Sequence, residues 1–481
     1  MTQRDNEYEQ KQRKKIIHIK RSHLFILLGL SIILTAILAV TLTLGIQHWR
    51  SGLDKEQRYS FSKVEKVYQT LNNDYYKKEQ SDKLAQAAID GMIKELKDPY
   101  SEYMSKDDTQ SFNEDVSGDF VGIGAEMQKK NNQIQVTSPM KDSPAEKAGI
   151  KPKDTVTKVN GKSVKGKPLE SVVKEVRGKK GTYVTLTIKR GEHEQELKIK
   201  RDKIHVKSVE YQKHDHIAVL KINKFQNNTS TELKSAILKA HNEGIRRIVI
   251  DLRNNPGGLL DEAVKMANLF IDKNHTVVKL KKGQHTEEVK THNDALAQAK
   301  DMKVSILVNE GSASASEVFT GAMKDYNKAK VFGSKTFGKG IVQTTQEFKD
   351  GSLLKFTNMK WLTPNDHYIH GKGIEPDTKI STPRYQTLSV IPSDKTFKVT
   401  NKSKHVKTMK IGLTALGYKV NNESTTYDQS LESSVKKFQQ NENLKVTGEF
   451  DKETNDKFTQ SLVDKANKQD TVLNDLLKKL K

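Results

Sequence analysis

The chain has 481 residues, with 83 Lys and Arg against 60 Asp and Glu, a formal net charge of +23 and no cysteine. That length holds several domains with room for a real core, and the missing cysteines exclude a disulfide framework and cysteine-based metal sites. The charge suits anionic neighbours such as membrane headgroups or wall polymers, or simply a lysine-rich solvated face; no zinc-finger or RNA-recognition pattern is present, so nucleic acid is not expected as a partner.

Residues 1–23 form a basic tail carrying Arg4, Lys11, Arg13, Lys14, Lys15, Lys20 and Arg21. Residues 24–46 contain no charge. As a helix they would reach about 34 Å, enough for a hydrocarbon core of roughly 30 Å, so they read as a transmembrane signal anchor. A cleaved signal peptide is the rival, but its apolar region normally ends in a small-x-small site. Gly45-Ile46-Gln47-His48-Trp49 offers none. The basic flank keeps the N-terminus in the cytoplasm, so everything after Trp49 is expected outside the cell membrane.

Residues 47–105 read as a helical region. Phe61, Val64, Tyr68, Leu71 and Tyr75 make one stripe and Leu84, Ala88, Met92 and Leu96 a second, until Asp98-Pro99 ends the pattern. Such stripes serve a helix pair packed on the next domain or an arm that makes a homodimer. Residues 106–200 then switch to short β-branched runs at 134–137, 155–159 and 183–189, with helical pieces at 144–148 and 169–176. Phe120-Val121-Gly122-Ile123-Gly124 can turn successive backbone N–H groups toward a carboxylate. With Ser143-Pro144-Ala145-Glu146-Lys147-Ala148-Gly149-Ile150 and Val159-Asn160-Gly161-Lys162, the segment resembles a PDZ domain. The resemblance implies that a peptide C-terminus adds as a strand beside Gly122, Ile123 and Gly124.

From 201 to 392 strands and helices alternate: strand 217–222, helix 230–242, strand 247–252, helix 257–272, strand 304–308, helix 315–326, strand 340–346. That order predicts a mainly parallel sheet with sites at the carboxyl ends of its strands. The loops 253–258 and 309–316 both follow apolar strands and should share one edge. In Gly311-Ser312-Ala313-Ser314-Ala315-Ser316-Glu317 the tiny neighbours leave the backbone open to a substrate carbonyl, and the next helix aims its positive end at an oxyanion. Ser312, Ser314 and Ser316 are all nucleophile candidates by type, and serine is also a common helix cap. Gly257 and Gly258 suit an oxyanion hole, with the N–H of Ala315. Without cysteine or a nearby histidine, the plainest base is Lys339, boxed by Gly338 and Gly340. A lysine accepts a proton at neutral pH only when burial disfavours its charged form. If strand alternation holds, Lys339, Ile341 and Gln343 share a face. Asp325 would lie about 15–16 Å along the helix from Ser314, too far for contact.

Asp98-Pro99-Tyr100-Ser101, the PDZ pattern, Asp251-Leu252-Arg253-Asn254-Asn255-Pro256-Gly257-Gly258, the serine loop, Thr336-Phe337-Gly338-Lys339-Gly340 and Gly371-Lys372-Gly373-Ile374-Glu375-Pro376-Asp377 together resemble the carboxyl-terminal processing proteases. These are also called tail-specific or CtpA-like serine proteases, and the likeness is to their membrane-anchored Gram-positive form. The resemblance implies an α/β crotonase-like (ClpP/crotonase-type) core with an inserted PDZ domain, Ser314 as nucleophile, Lys339 as base, and site positions at Gln343 and Asp325. It implies protein substrates taken by their C-terminal tails, with no cofactor and no metal. The rival class is a non-catalytic adaptor, which would bind peptides without cleaving them.

Residues 400–465 predict a small all-α domain around Met409, Leu413, Leu416, Leu431, Val435, Phe438 and Leu444. Through Val435-Lys436-Lys437-Phe438-Gln439 and Thr447-Gly448-Glu449-Phe450-Asp451 it resembles a peptidoglycan-binding domain, although Gln429 stands where a glycine usually follows Asp428. Residues 466–481 read as a basic amphipathic tail without an assigned purpose.

Overall fold

In the strand Ile217–Ile222, Ala218, Leu220 and Ile222 are buried in one apolar cluster while Ile217 and Val219 are buried in another. Such a strand is covered on both faces, the mark of a sheet inside an α/β protein. A computed structural model describes Thr35, Ile37, 54–77 and 81–481 of the chain. It forms two units, Met1–Lys97 and Asp98–Lys481. The first contains the helices Lys55–Asp74 and Ser81–Glu95; none of the residues of Lys55–Asp74 is buried, so Phe61, Val64 and Leu71 stand exposed. The expected span 24–46 lies outside the described residues apart from Thr35 and Ile37, and among the described residues no helix is long and apolar enough to cross a membrane.

The second unit is built on a six-stranded sheet in the order Val209–His214, Ile217–Ile222, Arg247–Asp251, Lys303–Val308, Ala329–Gly333, Thr378–Lys379. The first pair is antiparallel and the others are parallel. The helices Thr229–Asn242, Leu260–Ala267 and Ala315–Asp325 cover one face with Leu233, Ile237, Met266, Val318 and Phe319. One sequence expectation is corrected here. The strand Ile341–Glu347 is not in the parallel sheet; it pairs antiparallel with Leu353–Leu362 in a second sheet with Glu102–Met104, Thr276–Lys282 and His285–Lys290. The parallel place next to Lys303–Val308 is taken by Ala329–Gly333. An alternating pattern states which face a strand buries, not which neighbour it bonds.

The PDZ segment enters and leaves through one ribbon, Asp119–Gly122 paired with Asp202–His205. Its sheet runs Ala125–Lys130, Gln133–Pro139, Thr155–Val159, Tyr183–Arg190, His193–Lys200, so Ala125–Lys130 and His193–Lys200 are its two edges. At the C-terminal side, Lys404–Ala415, Gln429–Asn441 and Lys452–Lys468 enclose Met409, Leu431, Val435, Phe438 and Phe458. Asp428 caps the second of these helices by accepting the Leu431 N–H (2.9 Å), and Gln429 is its first residue. A helical residue needs no left-handed backbone, so the absent glycine is no local defect.

The amphipathic tail, left without a purpose by its sequence, has a packing partner. Thr471–Leu480 is a helix whose Val472, Leu473, Leu476 and Leu477 pack with Ile217, Val219, Val249, Leu307, Phe332 and Ile380 on the second face of the parallel sheet. Truncating Leu476, which is fully buried, to alanine is expected to cost roughly 2–5 kcal/mol. Urea denaturation of Leu476→Ala checks this; an unchanged midpoint would mean the helix is not docked.

Candidate active site

The two loops predicted to share an edge do so. Ala313 N–H donates to Asn255 O (3.0 Å), and Asn309 Nδ2 donates to Asn254 Oδ1 (2.8 Å). They follow neighbouring parallel strands, so their carboxyl ends bring them together.

The structure separates the three serines. Ser312 Oγ donates to Leu252 O (2.8 Å) and Ser316 Oγ donates to Asn255 O (3.0 Å), both fully buried. Ser314 is half-buried at the cap position of Ala315–Asp325, and among the described residues its hydroxyl donates to no backbone carbonyl. Its backbone sits at φ 57°, ψ −116°, a conformation that costs a non-glycine residue energy and is typical of functional turns. Gly257 (φ +100°) lies against this turn: a Cβ there would stand 2.7 Å from Ala313 O and 2.8 Å from Ala315 N. Only glycine permits that approach. Gly257 N–H is already donated to Asn255 Oδ1 (2.9 Å), so its contribution is close packing and not donation. Among the described residues, the N–H groups of Gly258 and Ala315 find no acceptor, leaving these two for an incoming oxygen.

Lys339 precedes the strand Ile341–Glu347, in a stretch without regular structure. Its flanking glycines are dictated by the loop beside them. A Cβ on Gly338 would meet Gly373 N at 2.8 Å, and one on Gly340 would meet His370 N at 2.7 Å. The Lys339 ammonium nitrogen lies over the Tyr100 ring, 4.7 Å from its centroid. Burial pushes the Lys339 pKa below its ordinary value; the charge of Lys355 adds to this, while Asp98 and Glu317 work against it. Among the described residues Ser314 Oγ and Lys339 Nζ share no hydrogen bond, as is common in sites without substrate. His370, the histidine beside this stretch, accepts the Gly340 N–H at its Nδ1 (3.3 Å).

Gln343 pairs with Thr357 just past a slip in register whose extra residue, Asn358, lies on the partner strand, and among the described residues it shares no hydrogen bond with Lys339. Its Nε2 donates instead to Thr357 Oγ1 (3.1 Å), whose N–H donates to Ser101 Oγ (3.1 Å). Ser101 Oγ in turn donates to Asp98 Oδ2 (2.6 Å). Burial works to raise the Asp98 pKa, but the bonds from Ser101, Thr357 and Tyr100 and the Lys339 charge hold it below the usual carboxylate range. Asp325 stands at the far end of the serine helix, accepting the Asn365 N–H (2.8 Å) with His367 at 3.7 Å. In the PDZ unit, Gly122 is paired to Asp202, Ile123 is buried in the domain core, and Gly124 (φ +73°) passes close to Ser143.

Sequence reasoning missed Glu317. Fully buried, it accepts four donors: Ser314 N–H (2.9 Å) and Lys339 N–H (2.8 Å) on Oε2, Gly338 N–H (2.7 Å) and Thr336 Oγ1 (2.5 Å) on Oε1. One carboxylate thus ties the serine turn to the lysine stretch. The signal was present in Ser314-Ala315-Ser316-Glu317, the spacing of a capping box. Glu317→Ala leaves four donors without their acceptor and is expected to cost at least about 3 kcal/mol. A loss below about 1 kcal/mol in chemical denaturation would contradict the clamp.

Comparison with known proteins places the chain. Residues 216–380 match peptidase family S41, 45–108 the activating protease CtpB N-terminal domain, 121–200 a PDZ domain and 402–458 a putative peptidoglycan binding domain. A protein of Staphylococcus saprophyticus, named probable CtpA-like serine protease, is 70% identical over 467 residues, covering 97% of this chain and 95% of that one. A Staphylococcus epidermidis protein of the same name is 72% identical over 468 residues, with the same coverage of 97% and 95%. A solved photosystem II D1 C-terminal processing protease is 26% identical, covering 68% of this chain and 94% of that one at a TM-score of 0.40. With that identity across nearly its whole length, the chain belongs to peptidase family S41 and is a serine protease of the C-terminal processing kind.

Proposed function

We propose that this protease is a membrane-anchored endopeptidase with a Ser314–Lys339 dyad, which takes protein C-terminal tails through its PDZ domain and cleaves them outside the cell membrane. The observation that carries the reading is that one carboxylate, Glu317, joins a half-buried serine on a strained turn to a lysine whose charged form is disfavoured by burial. Neutral Lys339 takes the Ser314 hydroxyl proton as Oγ attacks the scissile carbonyl. The N–H groups of Gly258 and Ala315 receive the oxyanion. The proton passes to the leaving amine, and water then attacks the acyl-enzyme, returning the proton to Ser314. Gln343 and Asp98, through Thr357 and Ser101, fix the wall on which the lysine rests. Asp325 shapes the turn at Asn365 and His367.

The edge strand Ala125–Lys130, next to the helix Leu169–Val176, offers a place for a peptide strand. The uncharged run 24–46 behind its basic flank supports the anchor, with the N-terminus cytoplasmic. The match of 402–458 supports wall polymer as the third contact, and the exposed stripe of Lys55–Asp74 supports a homodimer. Ser314→Ala should keep peptide binding and lose turnover by on the order of 10⁴-fold or more. In cells it should leave surface proteins with unprocessed C-termini, read by mass spectrometry of their terminal peptides; unchanged termini or retained turnover would sink the reading.

The pH profile gives a second test. Only the neutral amine accepts a proton, so kcat/KM should fall as pH drops through the depressed Lys339 pKa and level off above it. A rate still climbing past about pH 10, where an ordinary lysine titrates, would contradict a buried base. The like charge of Lys355 helps to hold the Lys339 pKa down, so Lys355→Gln should move this limb toward alkaline pH. A shift to acid or none at all would count against that sign.

A further inference from the structure

The terminal helix does more than cover apolar surface. It begins at Asp470, which accepts the Leu473 N–H (3.0 Å), and it runs back across the sheet until Arg247 donates to Leu480 O and Lys481 pairs with Asp215 (2.8 Å). Arg247 opens the strand Arg247–Asp251, and Asp470 meets the other end of that strand. There Arg253 donates through Nη1 to Asp470 Oδ1 (2.8 Å) and through Nη2 to Asp470 Oδ2 (2.5 Å). The same guanidinium donates through Nε to Asp251 Oδ1 (2.9 Å) and through Nη2 to Asp251 Oδ2 (2.6 Å). Arg253 is mostly buried, so a core carboxylate and a tail carboxylate share one desolvated cation, in the fork geometry that fixes orientation best.

Arg253 is the first residue of the loop that reaches the nucleophile. Asn254 N–H donates to Asn309 Oδ1 (2.8 Å), Asn255 O receives Ala313 N–H and Ser316 Oγ (3.0 Å each), and Gly257 lies against Ser314. Burial alone would raise the Asp470 pKa, but Arg253 holds it below the usual carboxylate range, so the pair stays charged where the enzyme works. The peptidoglycan-binding-like segment 402–458 therefore lies between two parts of the chain, Ile380 and Asp470 onward, that are both fixed to the protease sheet.

We propose that Asp470 is a positioning residue of the protease: through Arg253 it holds the 253–258 loop at the setting in which Gly258 faces the oxyanion. The proposal rests on the reading of Gly258 as an oxyanion donor. The active site is then completed from beyond the wall-binding-like domain, by residues outside the segment that matches the peptidase family. Loss of Asp470 would leave two guanidinium donors half-buried without acceptors, and the loop would shift to satisfy them.

The test uses the full chain in detergent and a fluorogenic peptide with an apolar C-terminus. Asp470→Ala should lower kcat about tenfold or more with KM within about twofold, the pattern of a misplaced transition-state donor. Asp470→Glu, which can still pair with Arg253, should recover most of the loss. Leu476→Ala serves as control: it should lower the melting temperature yet keep kcat under conditions where it is folded. Wild-type kcat in Asp470→Ala, or an equal loss in folded Leu476→Ala, would overturn the proposal. Should Asp470→Ala fail to fold, Asp470→Asn is read by the same criteria, since it keeps the volume and loses the charge. Ser314→Ala separates the two readings, because turnover in that variant would refute the dyad whatever Asp470 does.

Discussion

Four donors converging on the Glu317 carboxylate are the constraint on which the rest of the site depends. The stretch around Lys339 has no helix or strand to fix it, and the Ser314 turn holds a backbone conformation that L-residues avoid. Neither would persist on local preference alone. Bonding both to one buried carboxylate makes the position of each a condition for satisfying the other. Glu317 itself is rooted in the serine helix, whose Val318, Phe319, Ala322 and Met323 are buried in the largest core cluster. The geometry of the Ser314 turn thus derives from ordinary helix-on-sheet packing.

The glycines of the two loops follow from the same crowding. Segment 253–258 approaches 312–315 more closely than a Cβ allows at Gly257, and segment 337–340 approaches 369–373 in the same way at Gly338 and Gly340. Bare backbone at this density is what an oxyanion site requires, since the donors must reach the substrate past no side chain. The lysine sits among the same segments, where poor access to water makes its charged form costly.

Much of this was legible in the chain. The strands at 217–222, 247–251 and 303–308 stand out as apolar runs between loops, and their order fixes the shared edge. The PDZ turns and the boxed lysine were equally visible. The choice among Ser312, Ser314 and Ser316 was not readable from spacing, because all three belong to one run of tiny residues; the family resemblance pointed to Ser314, and in the structure the other two hydroxyls are bound to Leu252 and Asn255 carbonyls. That Gln343 bonds Thr357 on the neighbouring strand could not be read from alternation along its own strand. The Asp470–Arg253 pair spans more than two hundred residues of chain, and no local pattern reports a contact at that separation. The sheet of Ile341–Glu347 was missed for the same reason.

The proposed Ser314–Lys339 mechanism depends on the protonation of one amine. NMR titration of lysine-labelled protein, with Lys339 assigned by its loss in Lys339→Ala, would measure it directly in the folded chain. The structure predicts that Lys339 gives up its proton below the ordinary lysine value as pH rises. A Lys339 that titrates at or above the ordinary lysine value of about 10.4 would contradict the neutral base and with it the Ser314–Lys339 mechanism.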